Sequence, residues 1–228
     1  PVVNVSSYLS DTGMPTIVVD NIAVGELAAA HLLDRGFRRA GFIGYPKIRF
    51  SELRLQGFKL KLEKHGHAPF VFPPSGGAGS RLSYTAGNRQ LCGWLKSLTK
   101  PVGIFCCNDG LANCIADVCH AIGIRIPEEI ALVGADNVEV VCELANPPIS
   151  SVRILRERIG FLAAEQLEQL LRGKSAPKAP ILVPPDGVAV RQSSDILSVE
   201  DEDVSAAMRF IRSHPSVLIN VSDVLQQV

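Results

Sequence analysis

The sequence predicts an α/β fold of parallel sheets covered by helices. Three observations carry this. Short apolar runs of the fully buried kind, TIVVD, AGFIG, GIFCC and IALVG, alternate with longer segments of helical period. Glycines 36, 66, 123 and 173 close those segments, where a C′ residue takes a left-handed backbone. The 228 residues are 46% hydrophobic and 20% charged, which suffices for a real core.

In chain order, PVVNV opens as a buried strand of β-branched residues, and a polar loop, SSYLSDTGMP, follows it. TIVVD is a second strand ending at Asp20. The helix after it turns Ala28, Ala29, Leu32 and Leu33 inward and stops at Gly36. AGFIG (40–44) is a strand. Residues 51–65 form a helix with Leu55, Phe58 and Leu62 on its apolar face. FVF (70–72) is a short strand and SGGAGS (75–80) a flexible loop. A helix is expected over 84–98, a buried strand over 102–107, a helix over 109–122 and a buried strand over 130–134. A short helix near 138–145 precedes Pro147 and Pro148, and a short strand covers 150–152. The helix at 156–171 points Ile159, Leu162, Ala163, Leu167, Leu170 and Leu171 inward. ILV (181–183) and VAV (188–190) are strands around a PPDG turn. The chain becomes polar and acidic over 193–203, as a linker does. Val204, Ala207, Met208 and Ile211 then mark one more helical face, and a last helix opens at Val221.

Composition narrows the function. Lys and Arg together number 23, as do Asp and Glu, so the whole-chain balance shows no electrostatic footprint of a nucleic-acid grip. The six cysteines form no CxxC pair and no zinc spacing, and in apolar runs such as GIFCC they read as buried free thiols. No metal or cofactor site is expected. No leader opens the chain and no apolar run reaches the ~20 residues of a membrane span. GxGxxG, GxxxxGK[ST] and GxSxG are absent, and no nucleophile stands beside a base, so no catalytic residue is expected.

Open parallel sheets bind ligands beyond the carboxyl ends of their strands. Polar pairs recur there: Asp20-Asn21, Asn108-Asp109 and Asp136-Asn137. Each could cap the following helix. The two later pairs end neighbouring strands and could instead converge on one cleft. Arg54, in the first turn of its expected helix, opposes the macrodipole there, which disfavours a stability role. Carboxylates accept from paired hydroxyls, a guanidinium donates two fixed bonds and a carboxamide does either, so the set suits a neutral polyol. Phe50 either offers an apolar face to a sugar ring or belongs to the hinge core.

The motifs VVDN, AAAHLLDRGFRRAGFIG, SELRLQGF, GIFCCND and IPEEIALVGADN, in this order, resemble the sensor domain of the lactose-repressor family over about residues 1–192. That resemblance implies a type I periplasmic-binding-protein-like architecture with two parallel-sheet lobes and helices on both faces. It also implies sugar-contacting roles for Arg54 in R-x-x-G-F, for Asp136 in VG-x-D, for Asn108 and Asp109, and less uniformly for Asp20. Residues 204–228 resemble the start of an AraC-type helix-turn-helix domain, giving a short all-α C-terminal piece. A sensor of this kind before an AraC-type reader is the arrangement of the bacterial xylose-operon activators. The resemblance therefore implies a cytoplasmic transcription activator with xylose or a related pentose as effector, operator DNA as partner and a homodimeric state. It further implies a fragment cut at both ends, with an incomplete first lobe and an incomplete reader. The alternative is a periplasmic-type solute-binding protein of a sugar transporter, which needs a signal peptide and no DNA-reading tail.

Overall fold

A computed structural model describes residues 1–8, 13–72, 84–177, 179–196, 202–213 and 219–226. The SGGAGS loop expected at 75–80 lies outside them. The large lobe holds a six-stranded sheet in the order β3-β2-β4-β5-β6-β8. Its strands are β2 (Ala40–Ile43), β3 (Phe70–Phe72), β4 (Val102–Cys106), β5 (Ile130–Asp136), β6 (Ser150–Arg153) and β8 (Val188–Ala189). All neighbours are parallel except β6 and β8. The small lobe pairs β1 (Ile17–Val19) with β7 (Ile181–Val183), also in parallel. The fold is the periplasmic-binding-protein-like α/β fold that the motifs implied.

The helices of the large lobe are α1 (Asn21–Asp34), α2 (Arg49–Glu63), α3 (Arg89–Ser97), α4 (Asp109–Ala121) and α5 (Glu139–Leu144). β4 and β5 are buried along nearly their whole length because helices cover both faces. Phe42 of β2, Phe58 of α2 and Phe105 of β4 meet at ring distances of 5.3 to 6.3 Å. The small lobe adds α6 (Arg156–Leu171), which packs on β1. After Ser194 come α7 (Glu202–Ser213) and α8 (Val221–Leu225), the latter begun by a reciprocal cap between Asn220 and Asp223.

Four local expectations need correction. PVVNV makes only a single bridge, Asn4 to Thr16, and Val2 is 63% exposed. Strand propensity without a covering layer does not make a strand. The helix expected at 84–98 starts at Arg89, because the Asn88 carboxamide accepts from the Gln90 and Leu91 amides. Tyr84 instead donates its hydroxyl to the Gly44 carbonyl over 2.7 Å. On α6, Leu167 and Leu171 are exposed and Ile159, Leu162, Ala163 and Leu170 only half-buried, since two strands are too narrow to cover that face. Cys114 is exposed, whereas Cys106, Cys107, Cys119 and Cys142 are buried thiols.

The expected linker at 193–203 also begins differently. Ser193 and Ser194 are buried in a single 3-10 turn (Gln192–Ser194) against the large lobe. In α7, Val204 and Ile211 are close to half exposed and Ala207 is half-buried. The Met208 side chain lies outside the described residues.

Candidate functional site

Two glycines decide where α2 sits. A Cβ on Gly25 of α1 would land on the Arg54 carbonyl, and one on Gly57 of α2 would land on the Ile22 carbonyl. Their absence lets the two helix backbones touch. Phe58 locks α2 into the aromatic core, and Arg54, one turn earlier on the same face, is carried to the carboxyl edge of the sheet. The helix starts at Arg49, so Arg54 lies in its second turn and not its first.

Arg54 is 3% exposed, yet fully engaged. Its Nε donates to Asn21 Oδ1 over 2.9 Å, Nη1 to the Cys107 carbonyl over 2.5 Å, and Nη2 to Asp136 Oδ1 over 2.7 Å. A buried guanidinium requires such partners. Its Cζ lies 5.2 Å from the centre of the Phe50 ring, which also meets Tyr45 edge-on. Burial pushes the Cys107 thiol up to about 11 and the Tyr45 hydroxyl up to about 12, so both stay neutral beside the guanidinium.

Asp136 ends β5 with φ of 104°, a left-handed value that an aspartate holds only at a cost. Its side chain is 27% exposed, the open end of the pair with Arg54. Arg156, the first residue of α6, donates Nη2 to the Asp136 carbonyl. The carboxylate is thus tied to the large lobe and the main chain to the small-lobe helix. Asp136, Arg54, Phe50, Asn21 and Arg156 line a cleft of about 420 Å³ together with Tyr8, Ile154 and Ile159. That volume falls in the ~300–1,000 Å³ range of small-molecule sites. Each Arg54 nitrogen already has a partner within the protein, so the Asp136 carboxylate is the half of the pair that is open to a ligand.

The other sequence-derived candidates stand elsewhere. Asp20 caps α1, accepting from the Ile22 and Ala23 amides over 3.1 and 3.0 Å, and borders a second cavity lined by the β1–β7 pair and by the starts of α1 and α2. Asn108 caps α4 through the Leu111 amide at 2.9 Å. Asp109 is buried, with Oδ1 accepting from Ser151 Oγ and Oδ2 from the Val138 amide. Burial raises its pKa, against the two hydrogen bonds that lower it. None of these three lines the Arg54 cleft. Asp109 instead clamps the turn that carries Asp136. Asn21 and Arg156 also line the cleft; the sequence reading named Asn21 only as half of a polar pair and missed Arg156. The VVDN pair pointed to both Asp20 and Asn21, whereas Arg156 reads only as a helix start. Among the described residues no cluster of His, Cys, Asp or Glu could hold a metal ion, and no helix is long and apolar enough to cross a membrane.

Known proteins resemble this chain in sequence and in fold. The periplasmic binding protein-like domain matches residues 29–194. The xylose operon regulatory protein of Haemophilus influenzae is 32% identical over 94% of this chain and 56% of its own length. That of Escherichia coli K12 is 32% identical over all of this chain and 59% of its own. The chain therefore spans little more than half the length of these relatives. The solved structure of the xylose-binding transcription activator xylR superposes with a TM-score of 0.78 at 31% identity, over 99% of this chain and 60% of that one. A LacI family regulator from Enterococcus faecium with bound ribose shares the fold, with a TM-score of 0.70 at 21% identity.

Proposed function

The chain belongs to the periplasmic binding protein-like family, and from that premise we propose that it is the effector-sensing part of a sugar-responsive transcription activator. The effector is xylose or a related pentose, bound between the lobes by Arg54 and Asp136 with Asn21, Phe50 and Arg156. Asp20, Asn108 and Asp109 support the site from behind, as helix caps and as the clamp on the Asp136 turn. Residues 204–228 open an AraC-type reader of operator DNA, and the protein works as a cytoplasmic homodimer. It recognises its sugar and does not convert it.

The observation that carries this is the Arg54–Asp136 pair at 2.7 Å. It is an ion pair at the carboxyl edge of the sheet, buried on one side and open on the other. Such a pair offers fixed donors and acceptors to vicinal hydroxyls, and its mixed charge repels neither a neutral sugar nor water. A phosphate would meet the Asp136 carboxylate. The relatives are named as regulators, which favours this reading over a transporter's solute-binding protein.

The test is a thermal melt of the protein as its gene encodes it, against a panel of pentoses and hexoses. A sugar at 100 times its Kd adds about 2.7 kcal/mol of stability. Asp136→Asn keeps a side chain that tolerates the left-handed backbone but removes the charge. We expect it to weaken the sugar by ~10-fold or more, since bonds to charged groups contribute ~1.5–3 kcal/mol. No shift with any sugar, or an unchanged affinity in the variant, refutes the assignment.

A further inference from the structure

The turn behind the cleft is strained and over-tied. Asp136 and Asn137 are consecutive non-glycine residues with φ of 104° and 48°. Such residues persist only where their surroundings hold them. Behind Asp136, the Asn137 amide donates to Ser151 Oγ over 3.0 Å and the Val138 amide to Asp109 Oδ2 over 2.7 Å. The Asn137 carboxamide oxygen accepts from Arg191 Nη1 over 3.0 Å. That last bond leaves the site altogether. Arg191 follows β8 and opens the segment, still held on the large lobe through Ser194, that precedes α7 in the chain.

Arg191 gathers the exit into one node. Its Nε donates to Glu143 Oε1 of α5 at 2.5 Å, and Nη1 also donates to the Ile149 carbonyl at 3.0 Å. Its main-chain N–H and carbonyl both meet Ser150 Oγ at 2.8 Å. Two residues on, Ser193 accepts from the Ser150 amide and donates to the Leu132 carbonyl of β5. Next, Ser194 shares a 2.7 Å bond with His31 Nε2, and its carbonyl accepts from Arg35 Nε. The exit segment is thus pinned to β5 and β6, the strands that carry the Asp136 turn. The Arg191 side chain is only 12% exposed, so little water screens its bond to Asn137.

We propose that the Asn137–Arg191 bond couples the cleft to the C-terminal tail. A change in the Asp136 backbone on ligand binding moves the Asn137 carboxamide. Arg191 follows it and resets the exit segment that leads to α7. Both are positioning residues and neither touches the ligand. The proposal rests on the effector reading of the cleft.

Hydrogen exchange of the full-length protein, with and without saturating xylose, tests it. The probe segment is 202–213, and the controls are Asn137→Gly and Arg191→Lys. Glycine suits the backbone at φ 48° and removes the side chain that carries the carboxamide. Lysine keeps the charge and loses the fork. In the wild type, xylose should change exchange in the probe segment by ~5-fold or more, the lower end of ordinary coupling. In either variant the thermal shift with xylose should persist while the response of the probe segment disappears. A merely structural role would lower the melting temperature and leave that response intact, which overturns the coupling alone. Absence of any thermal shift in the wild type overturns the effector reading and the coupling with it.

Discussion

The two lobes are built from the same kinds of element and reach different ends. The large lobe closes. Its central strands are covered on both faces, and Phe58, Phe105, Leu111 and Ile130 have no exposed surface. The small lobe, as described, pairs only two strands, and α6 leaves Phe161 64% and Leu171 68% exposed. Its one buried polar residue on α6, Gln166, keeps an Nε2 without a partner among the described residues. Two strands and a helix have too little apolar surface to enclose each other. The contrast shows that amphipathic pattern is necessary for burial and does not supply the second surface. It also explains why the buried Arg54–Asp136 pair sits on the large lobe, where dense packing can hold a guanidinium in place, whereas Arg156 on the small lobe is exposed.

The sharpest way to break the contrast is to empty its dense side. Phe105→Ala removes the ring between Phe42 and Phe58 and should cost ~3–5 kcal/mol in a denaturant titration, as buried aromatic truncations do. A loss under ~1 kcal/mol would mean the large lobe is loosely packed and can collapse around the gap.

Acid tests the same lobe from its electrostatic side. His31 is buried on α1, and its pKa falls from 6.5 to about 4, first from burial and then from the Arg35 charge. A guanidinium only donates, so Arg35 leaves the lone pair on His31 Nδ1 and the proton on Nε2, facing Ser194. The folded protein holds the neutral ring while the unfolded chain binds a proton. The unfolded state therefore carries more protons between pH 6.5 and about 4. Stability from this group is complete above that window and is lost as pH falls through it, by about 3 kcal/mol in all. His31→Gln does not titrate. The stability of the wild type relative to this variant should fall by that amount between pH 7 and pH 4, measured by denaturant titration. A constant difference would mean His31 is reached by water in solution.

Much of the dense lobe was legible, and for a physical reason. Fully buried strands and glycine-closed helices leave local signals, so β2, β4, β5, α1, α4 and their order could be read directly. Arg54 and Asp136, which line one cleft, were named through their motifs, and Phe50 only as a choice between a sugar-facing ring and the hinge core. Asp20, Asn108 and Asp109 show the limit, because the residue that begins a helix and the residue that ends a strand beside a ligand are both Asp or Asn. Only coordinates show that the Asp20 carboxylate accepts the Ile22 amide and borders a different cavity from the one that Asp136 lines. Arg156 was illegible because its role depends on the crossing of two lobes, a contact of 20 residues' separation with Asp136 that no period encodes. The exposed face of α6 was illegible for the converse reason: its period promised a partner layer.

The smallest effect expected is on that face. Phe161 touches the Arg158 guanidinium, 5.8 Å from the ring centre, in an exposed pair of the weakest kind. Phe161→Ser should change stability by no more than about 0.5 kcal/mol, as surface substitutions do. The comparison with Phe105→Ala then spans nearly the whole range open to a single aromatic ring. A loss of several kcal/mol at Phe161 would instead mean that the face is covered in solution. Repeating the melt over a hundredfold range of protein concentration would say by what. Cover by a second copy makes the melting temperature rise with concentration, whereas cover from within one chain leaves it fixed.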